Sequence, residues 1–149
     1  MDHEISIRIT GEAGQGTQTI GDVLARLFIS SGFHLFAIQD FMSRIRGGNN
    51  YFEIRVSTRP VRSPRHKPEI IVCLDKFSID IHKKDLAVDG IIFVDKAATG
   101  LEQLEDGMFD IGFNEIALRI ANDKLYINSI ACGLIAGISG IDFAFVTEG

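Results

Sequence analysis

The stretch ISIRITGEAGQGTQTIGDVLA, residues 5–25, decides the fold of this chain. In its first half Ile5, Ile7 and Ile9 alternate with polar residues, and this period of two predicts a β-strand. In its second half the apolar positions follow the spacing of a helix over residues 17–31. A turn with the pattern G-x-x-G-x-G separates the two. The stretch therefore predicts a strand, a tight turn and a helix, which is the opening unit of an α/β domain.

The rest of the chain continues this alternation of strands and helices. Further strands are predicted over residues 33–38, 51–57, 69–75, 90–95 and 108–113, and helices over residues 77–86, 114–122 and 124–140. The runs EIIVCLD and GIIFVD are apolar throughout, which is typical of parallel strands covered on both faces. The run YFEIRVS alternates and predicts a strand with one solvated face. We expect one Rossmann-like, three-layer α/β domain over residues 1–149, with a mostly parallel sheet and helices on both faces.

Composition excludes several classes of function. The chain of 149 residues carries a formal net charge of −5, which argues against a general nucleic-acid binder because such proteins are basic. Its longest apolar stretch is glycine-rich and too short to span a bilayer. The N-terminus enters a strand at once and lacks the pattern of a signal peptide. We therefore expect a cytoplasmic protein with no nucleic-acid and no membrane partner.

The residue types that usually carry catalysis or bind metals form no recognisable arrangement. Cys73 and Cys132 lie far apart in apolar contexts and predict buried free thiols, with no ligand set for zinc or an iron–sulfur cluster. Asp75 and Asp95 end apolar strands, where we expect them to cap the following helices. The histidines are interpreted as surface or filler residues, namely His3, His34, His66 and His82. The chain is expected to carry no catalytic residue and no metal site.

The glycine turn is the first candidate for a binding site. Gly11, Gly14 and Gly16 permit positive φ and close approach of a ligand, and the N-terminus of the following helix favours anions. A P-loop requires Lys and Ser/Thr after its last glycine, but Thr17 and Gln18 stand there, so that interpretation fails. The dinucleotide fingerprint G-x-G-x-x-G has the inverse spacing. Taken alone, the turn is as typical of a connection without a ligand as of a binding loop.

The segment SRIRGGNN, residues 43–50, is the second candidate. Arg44 and Arg46 supply guanidinium groups, and Gly47 and Gly48 leave backbone amides accessible, which suits a phosphate or a carboxylate. The alternative is a solvated connection between two strands. Loops that follow parallel strands lie at one end of the sheet, so we expect this segment and the glycine turn to face one ligand or one partner surface.

Together these segments, with PEIIVCLD and NSIACGLIAGI, resemble the gamma subunit or gamma domain of the 2-oxoacid:ferredoxin oxidoreductases. The family pattern is a G-x-G-G-Q-G turn, an R-G-G loop and an N-x-x-x-x-G helix. Here these are residues 11–16, with Ala13 in place of one glycine, residues 46–48 and residues 128–133. The variants GEAGQG and SRIRGG are most similar to the form in which gamma precedes alpha in one polypeptide. Residues 1–149 are thus expected to be a gamma-type domain, alone or at the start of a longer chain.

The resemblance implies a part in the oxidative decarboxylation of a 2-oxoacid, such as pyruvate or 2-oxoglutarate, to an acyl-CoA. It places thiamine diphosphate, Mg²⁺ and the iron–sulfur clusters in partner subunits, which are alpha, beta and, as a further candidate, delta. Ferredoxin would be reached through the complex, and a homodimer is a further option. Coenzyme A is the ligand that the resemblance links to the gamma domain.

The residues implied for coenzyme A or for a subunit contact come from both segments. They are Gly11, Gly14, Gln15, Gly16, Thr17, Arg44, Arg46, Gly47 and Gly48. Two alternatives stay open at this point: a stand-alone regulatory module that binds CoA or a nucleotide on a Rossmann-like scaffold, and a purely structural assembly domain. No residue in the chain identifies the 2-oxoacid.

Overall fold

The computed structural model describes residues 4–41 and 48–141, which build a six-stranded sheet with helices against it. The strands are β1 (Glu4–Glu12), β2 (His34–Phe41), β3 (Asn49–Ser57), β4 (Ile70–Cys73), β5 (Ile91–Val94) and β6 (Met108–Asp110). The helices are α1 (Thr17–Ser30), α2 (Lys76–His82), α3 (Lys96–Thr99), α4 (Phe113–Ala121) and α5 (Ile127–Ile138). Short 3-10 turns cover Lys83–Asp85 and Lys124–Tyr126.

The strand order across the sheet is β2-β3-β1-β4-β5-β6. Parallel pairing joins β1 to β4, β4 to β5 and β5 to β6, whereas β3 is antiparallel to both of its neighbours. Every strand except β3 therefore runs in the same direction, which confirms the predicted mostly parallel sheet. The carboxyl ends of these strands lie together with the start of β3, and we call this side the carboxyl end of the sheet.

Apolar side chains cover both faces of the sheet, as predicted for a three-layer domain. On the first face, alternate residues of β1 and β3, such as Ile7 and Ile54, pack against Leu24 of α1 and Ile135 of α5. On the second face, β4, β5 and β6 pack against α2. Burial of these side chains supplies most of the folding energy. None of the helices in the described residues is long and apolar enough to cross a membrane.

The second face of β1 and β3 differs from the sequence prediction. We expected this side of β3 to be solvated, yet Glu53 is only 1% exposed and Arg8 of β1 is 6% exposed. The prediction was wrong because Arg8 crosses to Glu53 and forms an ion pair with it at 2.7 Å. The ring of Tyr51 lies against the Arg8 guanidinium, 4.6 Å from it, and shields the pair from water.

Some strands and helices begin or end at other residues than the sequence predicts. The strands predicted over residues 33–38 and 51–57 are both longer at this end, because β2 extends to Phe41 and β3 begins at Asn49. Pairs such as Asp40 with Tyr51 extend the ladder beyond the apolar run, because backbone hydrogen bonds do not depend on side-chain polarity. The predicted helix over residues 77–86 is α2 followed by a 3-10 turn. The short helix α3 has too few apolar positions for a periodic signal and was not predicted.

Candidate functional site

The glycine turn lies at the carboxyl end of the sheet, between β1 and β4. The chain leaves β1 through α1 toward β2 on one side of the sheet. It leaves β4 through α2 toward β5 on the other side. The two connections diverge at this point, and open α/β sheets bind ligands in the crevice that such a divergence creates.

A cleft with a volume of about 350 Å³ opens beside the turn. Gly14 and Gln15 line it on one side, and Asp75 lines it beyond β4. Asn128 at the start of α5 and the ammonium-bearing Lys124 complete its wall. The cleft thus combines an open backbone segment, one ammonium group, an amide and the carboxylates of Asp75 and Asp95.

Left-handed backbone shapes the turn at two of its glycines. Gly14 has φ 95° and Gly16 has φ 80°, values that residues with a Cβ rarely adopt. A Cβ on Gly14 would point into open space, whereas one on Gly16 would collide with the amide of Asn128. The Gln15 side chain closes the turn, because its Oε1 accepts the backbone N–H of Glu12 at 2.6 Å. The backbone at Gly14 consequently faces the cleft without side-chain cover.

The N-terminus of α1 emerges from this turn. Its N-cap residue is Gly16, which provides no side-chain hydrogen bond, and the first turn contains no acidic residue. The first N–H groups of a helix need acceptors, and they carry the positive end of the helix dipole. Thr17, the first helical residue, is buried against the core. A helix end of this kind favours an anion as acceptor, and the turn that leads into it lines the cleft at Gly14 and Gln15.

The last residues of the second candidate segment, Gly48 and Asn49, lie at the same place. The carbonyl of Gly48 accepts the backbone N–H of Ala13 at 3.1 Å, and Asn49 pairs with Glu12 in the sheet. The third motif, residues 128–133, begins at the same place, since Asn128 packs against Gly16. Arg44, Arg46 and Gly47 lie outside the described residues. For the described residues, the structure brings the motifs together at one end of the sheet, as the parallel-strand argument predicts.

Two carboxylates in the cleft cap helices, which confirms the sequence prediction. The carboxylate of Asp75 accepts the backbone N–H and the hydroxyl of Ser78, each at 2.8 Å. The carboxylate of Asp95 accepts the N–H of Ala98 at 2.9 Å and the N–H of Asn114 at 2.8 Å. Burial acts to raise the pKa of Asp95, but the N–H groups of Asn114 and Ala98 outweigh it and hold that pKa below its ordinary value.

A chain of buried hydrogen bonds leads from the Asp75 cap to the second face of the sheet. The Ser78 hydroxyl accepts from Asn49 Nδ2 at 2.6 Å, and Asn49 Oδ1 lies 2.7 Å from His82 Nε2. The other ring nitrogen, His82 Nδ1, lies 3.1 Å from an Arg8 guanidinium nitrogen. Burial, reinforced by the charge of Arg8, lowers the pKa of His82. A neutral ring that accepts from Arg8 through Nδ1 and donates to Asn49 through Nε2 satisfies both of these hydrogen bonds.

This network corrects one sequence interpretation and was otherwise missed. His82 was interpreted as a surface or filler residue, but it is buried and fixes Asn49, the first residue of β3. The available signal was the alternating polar set Ser6, Arg8 and Thr10 in β1. Those positions predict a polar face, and only the tertiary structure shows that α2 covers part of it.

Two arginines, one near the end of β3 and one beyond it, lie at the opposite end of the sheet. Arg55 and Arg65 both pair with Glu4, at 2.9 Å and 2.8 Å, where β1 begins. Arg65 also contacts Glu69. These arginines are neutralised by acidic partners far from the glycine turn, so they add no positive charge to the cleft.

The cysteines match their predicted environment. Cys73 and Cys132 are both buried and free. Burial raises the pKa of the Cys132 thiol to about 11 and raises that of Cys73 as well, so both stay protonated and unreactive near neutral pH. Within residues 4–41 and 48–141, no cluster of three His, Cys, Asp or Glu side chains could hold a metal ion.

Comparison with known families now adds to this geometry. The family described as pyruvate ferredoxin/flavodoxin oxidoreductase matches residues 6–148. The chain belongs to this family. The 2-oxoglutarate synthase subunit KorC of Methanocaldococcus jannaschii is 26% identical over 140 residues, covering 91% of this chain and 75% of KorC. The pyruvate synthase subunit PorC of Methanothermobacter marburgensis is 26% identical over 141 residues, covering 92% of this chain and 78% of PorC.

Solved structures of the family share the fold. The gamma subunit of a keto/oxoacid ferredoxin oxidoreductase from Geobacter sulfurreducens superposes with a TM-score of 0.75 at 23% identity, covering 93% of this chain and 78% of that one. The 2-oxoglutarate:ferredoxin oxidoreductase from Magnetococcus marinus superposes with a TM-score of 0.85 at 19% identity. It covers 97% of this chain, which spans only 26% of the Magnetococcus chain.

These comparisons confirm the resemblance to gamma-type chains of the 2-oxoacid:ferredoxin oxidoreductases that the motifs predict. The family contains long chains as well as short ones. The alpha subunit of a Sulfolobus 2-oxoacid:ferredoxin oxidoreductase is 30% identical over 89 residues, which are 60% of this chain and 14% of that subunit. The fold described above therefore occurs both as a separate subunit and as one part of a larger polypeptide.

Proposed function

We propose that this chain serves as the gamma subunit or gamma domain of a thiamine-diphosphate-dependent complex that converts a 2-oxoacid to an acyl-CoA and transfers the electrons to ferredoxin. Thiamine diphosphate, Mg²⁺ and the iron–sulfur clusters then belong to alpha, beta and delta partners. The chain contributes no catalytic residue. Its family membership and its similarity to KorC and PorC along most of their length support this role.

Within that complex, we propose that the cleft beside the glycine turn handles coenzyme A. The observation that carries this proposal is the glycine turn that leads into α1: Gly14 and Gln15 line the cleft, and the N-cap Gly16 gives the helix no side-chain cap. The phosphates of coenzyme A suit such a helix end, and the Lys124 ammonium in the same wall adds a positive charge. The Magnetococcus marinus enzyme was solved with 2-oxoglutarate, coenzyme A and succinyl-CoA bound.

The residues of this chain would bind and orient the cofactor and leave the redox chemistry to the partners. Gly14 and Gly16 let the backbone approach a phosphate, and Gln15 holds the turn closed by accepting from Glu12. Coenzyme A, when bound, supplies the thiol that accepts the acyl group. The proposed set, taken from the sequence motifs, is Gly11, Gly14, Gln15, Gly16, Thr17 and Gly48 among the described residues, with Arg44, Arg46 and Gly47 outside them.

Replacing Gly14 by Ala tests the cleft with a matched control. Gly14 and Gly32 both have positive φ, at 95° and 84°, and neither would place a Cβ within 4 Å of other atoms. Both substitutions carry a similar backbone strain of about 1–2 kcal/mol. We expect only Gly14→Ala to raise the CoA concentration for half-maximal activity of the assembled complex, by about tenfold, because a displaced amide loses a charge-assisted hydrogen bond of about 1.5 kcal/mol.

The assay measures CoA-dependent viologen reduction by complexes that contain each variant, with thermal unfolding of both variants as the stability reference. Arg46→Ala extends the test to the second sequence motif and should act in the same direction. If complexes with the Gly14 and Gly32 variants assemble normally and need equal CoA concentrations, the cleft does not bind CoA. Assembly itself would still support the subunit role.

A further inference from the structure

Strand β2 forms an edge of the sheet that is unusually open. Among the described strands, β2 lies at one edge and β6 at the other. β6 has only three residues and ends on the charged Asp110, whereas β2 has eight residues and contains neither Lys nor Pro. Proteins normally protect edge strands by shortness, charge or proline, because the free backbone groups pair with other chains. β2 has none of these protections along its central residues.

The side chains of β2 alternate between the two faces of the sheet, and pairing with β3 fixes which face each occupies. His34, Phe36, Ile38 and Asp40 share the second face, and Leu35, Ala37, Gln39 and Phe41 share the first. Ala37 is exposed, and Phe41 at the end of the strand is 58% exposed. The edge therefore presents apolar side chains in its middle and one acidic and one imidazole group near its ends.

Symmetry limits how this edge could pair with itself. Two copies joined by antiparallel edge strands are related by a two-fold axis perpendicular to the sheet, and such an axis keeps each face on its own side. Directly opposite residues must then come from the same face, so one residue of β2 lies opposite its own copy. The axis passes midway between these two copies, and each register is named by that residue. The candidates in the middle of β2 are Phe36, Ala37 and Ile38.

The charges distinguish these three registers. An axis through Ala37 places His34 opposite Asp40 on both sides and Phe36 opposite Ile38, with the smallest side chain on the axis. An axis through Phe36 places His34 opposite Ile38, and an axis through Ile38 places Asp40 opposite Phe36. The central register pairs His34 with Asp40 and Phe36 with Ile38, and its one unlike pair is Leu35 with Gln39. Each of the other two registers places an imidazole or a carboxylate opposite an apolar side chain, whereas matched pairs stabilise neighbouring strands.

We propose that β2 is a self-complementary interface, which joins two copies of this chain through a two-fold axis at Ala37 into one continuous sheet. The exposed ring of Phe41 then lies opposite Phe33 of the second copy. Because the paired strands run in opposite directions, the two clefts lie at opposite ends of the joined sheet. Each cleft stays accessible, so this dimer is compatible with the proposed subunit role and does not depend on it.

Charge substitution at the axis tests this proposal directly. In the dimer, residue 37 of one copy faces residue 37 of the other, so Ala37→Lys or Ala37→Glu brings two like charges together. We expect the unsubstituted chain of 149 residues to sediment as a dimer across micromolar concentrations and each variant to sediment as a monomer. An equimolar mixture of the two variants should restore the dimer, because the opposite charges then meet. Val88→Lys, at an 86% exposed position outside the strand, is the control and should remain dimeric.

A second measurement locates the contact. Hydrogen exchange at the amides of β2 should slow as the concentration rises, while the amides of β6 at the other edge should not change. A wild-type chain that stays monomeric overturns the proposal. A dimer that survives both Ala37 variants also overturns it, because that dimer would use another surface. Since Ala37 is exposed, both variants should keep the wild-type circular dichroism spectrum.

Discussion

Arg8→Met is expected to lower the free energy of unfolding by about 3–5 kcal/mol, the cost of leaving a buried charge without its partner. The Glu53 carboxylate is almost fully buried and has the Arg8 guanidinium as its ion-pair partner, with contacts of 2.9 Å and 2.7 Å. The Ser6 hydroxyl is a longer and weaker donor at 3.4 Å. Without Arg8, the carboxylate would have to be buried as an unpaired charge or take up a proton. Urea denaturation at neutral pH measures the loss.

The double variant Arg8→Met/Glu53→Leu is the informative control for this prediction. It removes both charges at once, and replacing a buried ion pair by apolar groups is often close to neutral. We expect it to be more stable than Arg8→Met alone. A single variant that costs less than about 1 kcal/mol, the range of a solvated surface pair, would contradict the description of this cluster as buried.

Gly21→Ala and Gly133→Ala are expected to change stability in opposite directions, although both glycines lie inside helices. Alanine is favoured over glycine in a helix interior by about 1 kcal/mol. In α5, a Cβ on Gly133 meets no atom within 4 Å, so this gain should be realised. In α1, a Cβ on Gly21 would collide with the buried ring of Phe52 on β3. Overpacking of this kind costs about 1–3 kcal/mol and outweighs the helix preference.

Thermal unfolding of the two variants side by side measures this difference. A higher melting temperature for Gly133→Ala and a lower one for Gly21→Ala are the expected results. If Gly21→Ala were as stable as wild type, α1 would have to move away from β3 at little cost. The description of α1 as closely packed on β3, which fixes where the glycine turn lies beside the cleft, would then be wrong.

Local sequence patterns predicted most of the fold because each strand and helix carries its own periodic signal. The alternation of Ile5, Ile7 and Ile9 predicted β1, and the apolar run around Val72 predicted a covered strand, as the burial of both segments confirms. The caps at Asp75 and Asp95 were also predictable, because capping depends on residues three positions apart. The reversed direction of β3 was not predicted, since no local pattern records which neighbour a strand pairs with.

The candidate site was predicted in part for a related reason. Its glycine turn and Gly48 carry recognisable motifs, and parallel strands bring such loops to one end of a sheet. The polar network escaped prediction because its members come from distant parts of the chain: Arg8 is 45 residues from Glu53 and 74 from His82. A lone histidine in an amphipathic helix carries no sign of such partners. Only the tertiary packing of α2 on the sheet brings them together.

The central claim is that this chain is a required part of a 2-oxoacid oxidoreductase, and one reconstitution tests it most directly. Alpha and beta portions of the complex would be purified without this chain, and 2-oxoacid- and CoA-dependent viologen reduction would be measured before and after its addition. We predict that activity appears only when the chain is added and that the chain co-purifies with the partners. Full activity without it, together with no co-purification, would contradict the account.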